Sequence, residues 1–487
     1  MKRSTQMTRR ITMNKKYIRA AAIFTSLVLS LCFVFSSCVD RPDVQNDGEW
    51  ESKEEFAPSN GTGNDTEALF ERYEEYKENA SLAFKQNVAA SDGDFEVSDY
   101  ESGLKIDRYV GSESIIVLPE SIGGKAVLAI GERAFSSSAI RAVYIPDSVV
   151  YIEKGAFEGA DAIATLRLPF LGDGKEITNL GHIFGSNGYS NHAVKVPVTL
   201  DMVILGDETE KIDENAFASC KSLSAVVLPE SVESIGNFAF YECRDLVYVN
   251  AENVTTVGEY AFGYCDALIK IGFENAQNIG LGALYECNSL HSLTLPFVGE
   301  NECENRYIGH LFGAESADHN QSFVPKSLYS VSVTSGDLPD RAFASCLYIG
   351  EFILGEDVEN IGARAFYSCR SLIEIALPDS LKTVGDDAFF GCDNLELVDL
   401  GGVESIGMQA FYGCRSLKSV KLPEKVTEIN PSTFALCTNL KTVDLNNVKK
   451  IGKDAFWKCD SLTPVDCAGI EVADGNEALV LSVETEE

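Results

Sequence analysis

From residue 94 onward one pattern of apolar and polar positions returns many times. An Ala-Phe dipeptide, or a close variant, places anchors at Phe135, Phe157, Phe217, Phe240, Phe262, Leu284, Phe343, Phe366, Phe389, Phe411, Phe434 and Phe456. Uninterrupted neighbours are 22 or 23 residues apart. Five residues before every anchor stands Ile, Val or Leu, and the next residue is Gly in eight units. Gly at that corner is read here as supplying the positive φ that a tight turn often needs. Three residues after the anchor comes Cys in ten units, and three further on Leu or, once, Ile349. An alternating stretch such as Leu223-Ser-Ala-Val-Val-Leu228 follows, and alternation predicts a strand with one buried face.

This period, with Leu-x-x-Val-x-Leu, is the signature of a leucine-rich repeat solenoid. One unit cannot bury its own apolar residues, so stacked coils must share a core of Ile, Phe, Cys and Leu ladders. The expected fold is a mostly β solenoid with parallel β-sheets, wound as a curved right-handed coil of about 14 coils. At roughly 4.8 Å per strand it extends on the order of 65 Å. Leu-x-x-Val-x-Leu should form the concave sheet, with the corner before each anchor on the convex side. The segments "LPESVESIGNFAFYECRDL" (228–246) and "LPDSLKTVGDDAFFGCDNL" (377–395) resemble the BspA-like, Treponema-type leucine-rich repeat family, and residues 103–135 resemble its capping repeat. The resemblance covers roughly residues 94–466. It implies bacterial surface proteins, some of them adhesins, and carries no shared catalytic residues.

Two longer units, near 168–216 and 295–342, interrupt the array. One runs from "LPFLG" to "GHIFG", the other from "LPFVG" to "GHLFG". Phe184 and Phe312 are 128 residues apart, and Phe217 and Phe343 are 126 apart, so a block of about 127 residues is read as duplicated. Each insertion is either a bulging loop tolerated on one rim or a projecting contact site. His182 and His310 occupy matching places there and are the candidate insertion contacts. His192 and His319 follow at different offsets.

The N-terminus reads as export machinery. Lys15, Lys16 and Arg19 precede an apolar run from Ala20 to Phe35, too short for a membrane span and suited to a signal peptide over 1–37. Phe35-Ser36-Ser37-Cys38 resembles a lipobox, which implies lipidation at Cys38; ordinary cleavage near Ser37 is the alternative. The start is Met1 or Met13. Residues 38–93 form an acidic tether with an amphipathic helix expected at 66–89. Residues 467–487 are an acidic C-terminal tail or cap.

The chain of 487 residues carries a net charge of −34, and −41 once residues 1–37 are removed, because seven basic residues lie in the first 19. That balance disfavours nucleic acid as a partner. No Cys-x-x-Cys, His-Glu-x-x-His, Walker or Asp-x-Asp-x-Asp-Gly motif occurs, so neither an enzyme, a cofactor nor a metal is expected. Ladder cysteines read as buried thiols, since Ser138 and Ala160 fill the same position in the first two coils. The outward positions of the repeated strand are the candidate ligand-facing residues: Tyr248, Asn250, Lys270, Ser292, Thr294, Glu351, Glu374, Asp399, Lys421, Thr442 and Asp444. They show no aromatic stripe and no row of one charge, which favours an extracellular protein or peptide as partner, with the membrane reached through the N-terminal lipid. A structural envelope or assembly role without external ligand is the alternative.

Overall fold

The computed structural model describes residues 90–188 and 192–479. All described residues belong to one compact unit. The signal peptide, Cys38, the tether and the helix expected at 66–89 lie outside the described residues.

The described chain is a parallel β-solenoid. The Leu-x-x-Val-x-Leu strands run from Ile115–Val117 to Thr442–Asp444 in sheets of six, four, two and two strands. Neighbours pair in parallel without slip, as in Met202–Leu205 beside Ala225–Val227, where Val203 faces Val226. Alternation decides what each residue does. Val203, Val226, Val249, Ile271, Leu293 and Val331 point inward and are fully buried. Short strands such as Ser234–Ile235, Thr256–Val257 and Asn278–Ile279 form the second face.

The anchors stack between these faces. Phe217, Phe240 and Phe262 lie 5.0 Å apart with rings tilted by 5–6°. Phe366, Phe389 and Phe411 continue at 5.0 and 5.2 Å. Where Leu284 replaces a ring, Phe273 packs on Phe262 at 5.9 Å. From Phe135 to Phe434 the amide of each regular-coil anchor donates to the carbonyl just before the next anchor, as Phe389 N does to Ala410 O at 2.7 Å. The same bond runs from Phe157 N to Ile183 O and from Leu284 N to Leu311 O. Phe184 and Phe312 are therefore the anchors of the two irregular coils, and the extra residues lie on either side of them.

The corner glycines require a correction. Gly236, Gly258, Gly280, Gly362, Gly385, Gly407 and Gly452 do not have positive φ. A Cβ there would meet the backbone of the preceding coil, at 2.5 Å from Asn237 N for Gly258 and 2.5 Å from Asp386 N for Gly407. Close approach of coils selects glycine. The left-handed residues sit two before and two after the anchor, as in Phe238 and Glu242, or Gln409 and Gly413.

Both ends are closed. The hairpin Phe95–Tyr100 and Gly103–Tyr109 pairs in parallel with Lys125–Ile130, and the Tyr109 ring covers Phe135 at 6.4 Å. At the other end Phe456 has no further anchor, and Asn476 Oδ1 accepts its amide at 3.0 Å while Asn476 Nδ2 donates to Gly452 O. Glu471–Val472 pairs with Lys450–Ile451, and Leu479 is fully buried. The solenoid thus runs past residue 466 to at least 479.

Candidate functional site

The outward positions of the long face divide by location. Met202, Ala225 and Tyr248 form an apolar cluster of their own, apart from the core, with Ile204 and Val227 packed against it. Tyr248 is only 6% exposed, so it is not an open contact. Asn250 is also committed: its side chain accepts from Leu228 N at 2.8 Å and donates to Leu228 O at 2.7 Å. Lys270, Ser292 and Thr294 are half-buried. Glu351, Glu374, Asp399, Lys421, Thr442 and Asp444 are exposed, with Ile353 and Leu397 exposed between them. The face grades from apolar to charged along the stack.

Sequence reasoning missed Arg167 on this face. The residue is 8% exposed, and its guanidinium donates to Ile145 O at 2.6 Å and Asp147 Oδ2 at 2.7 Å and lies 4.9 Å from the Tyr144 ring. Aromatic rows also exist, on the corner side. Tyr367, Phe390 and Tyr412 stack at 4.9 and 4.6 Å, each the residue after an anchor. Phe238, Tyr241, Tyr264, Tyr285 and Tyr260 close a ring of contacts at 5.4–5.6 Å. The Ala-Phe-Tyr triplets at 239–241, 365–367 and 410–412 were the signal for Tyr241, Tyr367 and Tyr412. Stacked faces make the row of three a second structural ladder.

The histidines of the irregular coils do not project. His310 is 4% exposed and His182 is half-buried. Each Nε2 is buried without a hydrogen-bond partner. Burial lowers both imidazole pKa values, against the opposing pull of Asp173 on His182 and Glu300 on His310. His192 corresponds not to His319 but to Asn320, and both are fully buried. The His192 ring nitrogens lie 3.0 Å from Ala218 O and 2.9 Å from Asn179 Oδ1. Asn320 Nδ2 donates to Ala344 O at 3.1 Å, and its Oδ1 accepts Gly309 N at 2.9 Å. These side chains pin the longer loops to the stack. A Cβ on Gly181 would lie 2.3 Å from His192, and one on Gly309 2.5 Å from Asn320.

The ladder cysteines are free and buried. Eight of them donate S–H to the anchor carbonyl of the preceding coil, as Cys414 does to Phe389 O at 3.2 Å. The position therefore rewards a thiol donor as well as small size. Burial pushes Cys392 up to about 12, which removes the thiolate needed for chemistry. Cys303 is exposed and lies on the second irregular coil. Among the described residues, no three His, Cys, Asp or Glu side chains gather as metal ligands. No helix among them is long and apolar enough to cross a membrane.

Comparison with known proteins agrees with this architecture. The model of the BspA type leucine rich repeat region matches six times, over residues 116–179, 192–303 and 336–463. Among solved structures, a leucine-rich repeat protein from Bacteroides ovatus is 22% identical, covering 78% of this chain and 94% of its own, with TM-score 0.35. A leucine rich cell surface protein from Faecalibacterium prausnitzii is 23% identical, with 74% and 96% covered and TM-score 0.29. The leucine-rich repeat protein of T. pallidum is 18% identical, with 68% and 91% covered and TM-score 0.18. No curated protein matches the sequence.

Proposed function

From its membership of the BspA-type leucine-rich repeat family, to which this chain belongs, we propose that it is an exported binding protein of the bacterial surface that recognises a protein or peptide. The carrying observation is the separation of duties along each strand. Inward residues are held to one apolar pattern by the ladders, whereas outward residues change from coil to coil without touching the core. A surface that varies freely on a fixed scaffold is suited to recognition. The exposed row from Glu351 to Asp444 is the part of this face open to a partner.

Cys38 carries the lipid in this reading, and residues 39–93 hold the solenoid away from the membrane. Several acyl chains, each worth about 0.8 kcal/mol per buried CH₂, would anchor it. The scaffold acts by binding, not catalysis, which fits the raised thiol pKa of Cys392. The test has two arms. Labelling with a radioactive fatty acid should mark the wild-type chain and not Cys38→Ser; equal labelling rejects the anchor. The intact protein on protein and glycan arrays should bind a protein class selectively; binding only to glycans rejects the partner class.

A further inference from the structure

The long face changes character at one point. Over the eight strands from Ala142–Tyr144 to Ser330–Val333, no outward strand residue is exposed. From Glu351 onward every outward strand residue is exposed. Residue size does not explain the change. Ile204 and Ile353 occupy the same repeat position, yet the first is half-buried and the second is 52% exposed. Arg167, Met202 and Tyr248 are long side chains pointing away from the core, and all three are buried. Leu397, on the same face further along, is 51% exposed.

Charge divides at the same point. The outward positions of those eight strands include Arg167 and Lys270 and no Asp or Glu, in a chain with 74 acidic residues. The described chain also begins at this sheet. Ala90 N donates to Val117 O at 2.9 Å, on the free edge of the first strand, and Ala90 packs against the core. Immediately before it in the sequence is the amphipathic segment 66–89. Its Leu69, Tyr73, Tyr76, Ala80, Phe84 and Val88 fall on one helical stripe, with Glu67, Glu71, Glu74 and Glu78 opposite. As a helix this segment would span about 36 Å, and eight strands at the usual spacing cover about 34 Å.

We propose that residues 66–89 lie as a helix along the long face, from the edge beside Val117 to Ser330–Val333, with the apolar stripe on the sheet. The chain then fills half of its own concave face, and an external partner is confined to the row from Glu351 onward. An isolated helix of this length is marginal in water, and burial of its stripe against Met202, Ile204, Val227 and Tyr248 supplies the missing stabilisation. Five Glu against three Lys or Arg in the segment match a face whose charged outward residues are cationic. The assignment does not rest on the recognition reading above, and silence on a protein array leaves it intact.

The test uses the intact chain and two readouts, hydroxyl-radical oxidation of methionine and amide exchange of residues 66–89. Met408 is 48% exposed and serves as the internal reference for Met202. In the wild type Met202 should oxidise at least tenfold more slowly than Met408, and the amides of 66–89 should be protected. A Tyr73→Asp, Phe84→Asp variant, which spoils the stripe, should bring Met202 towards the Met408 rate. Ala225→Glu, which spoils the face without entering the core, should accelerate exchange of 66–89 at least tenfold. Melting temperature verifies that the coils of both variants stay folded. Free exchange of 66–89 in the wild type overturns the proposal. So does a Met202 that stays closed in the Tyr73→Asp, Phe84→Asp variant, because the sheet's own side chains would then be its cover. Protection of Met202 that is lost on dilution assigns the face to a second copy of the chain and also overturns it.

Discussion

Replacing Gly407 by alanine separates two reasons for a conserved-looking corner. The added Cβ would lie 2.5 Å from Asp386 N and 2.5 Å from Gly385 C, both backbone atoms of the preceding coil. That is about 0.9 Å short of ordinary contact, and neither atom can rotate away as a side-chain tip could. Overpacking of this kind costs about 1–3 kcal/mol, and the lower chain entropy of alanine offsets about 0.4–1 kcal/mol. The net expectation is a loss of about 1–2 kcal/mol. Gln409→Gly, two residues on, acts in the opposite sense. Gln409 has φ +54°, a left-handed conformation costing about 1–2 kcal/mol that glycine relieves at an entropic cost of about 0.5–1 kcal/mol. Gly93→Ala is a control, since nothing lies within 4 Å of its added Cβ. Urea denaturation of the three variants, with hydrogen exchange of the coil ending at Gly407, reads the differences. A Gly407→Ala protein as stable as wild type, or a Gln409→Gly loss equal to that of Gly407→Ala, would refute the close-approach argument.

Three further outcomes are expected. Phe389→Ala removes a ring stacked at 5.0 and 5.2 Å on both sides and should cost about 3–5 kcal/mol in chemical denaturation; a loss below about 1 kcal/mol contradicts the shared ladder. Asn476→Ala leaves the Phe456 amide and Gly452 carbonyl without their partner, so exchange of the Phe456 amide should accelerate at least tenfold, and unchanged protection contradicts the capping role. For pH, the sign follows from burial: ladder thiols such as Cys392 ionise in the unfolded chain near 9 but only at about 12 when folded. Below pH 9 they contribute no pH dependence; between about 9 and 12 the unfolded state gains ionisation that the folded state is denied, and each such thiol removes roughly 1.4 kcal/mol per pH unit. Stability should fall steeply over that window, and replacing Cys392, Cys414 and Cys437 by Ala should flatten the fall; an unchanged slope contradicts the burial.

The ladders were legible in the sequence because burial in a stack repeats with the coil. Phe anchors, Cys and inward Val or Ile all obey one period. What the sequence left out depends on neighbours at non-repeating distances. The corner glycines share a position but owe it to the coil before them, a contact no single unit displays. His192 and Asn320 do the same work with different residue types, so their equivalence was hidden until both were seen against Ala218 and Ala344. Phe184 and Phe312 lay inside apparent insertions, and only the bonds from Phe157 and Leu284 identify them as anchors. Outward orientation was readable for Tyr248 and Asn250, yet one is buried in a side cluster and the other ties its strand to Leu228. Alternation assigns a face; it does not reveal what already occupies that face.

The most direct test of recognition by the solenoid is a paired protein-array measurement of the wild-type chain and a Glu351→Lys, Glu374→Lys, Asp399→Lys variant, at matched melting temperature. All three carboxylates are exposed on outward positions and contribute nothing to the ladders. The account predicts saturable binding of the wild type to a protein class, with the variant weakened at least tenfold. Equal binding by both chains would contradict the assignment of this face, and silence of a folded wild-type chain on every protein would contradict recognition itself.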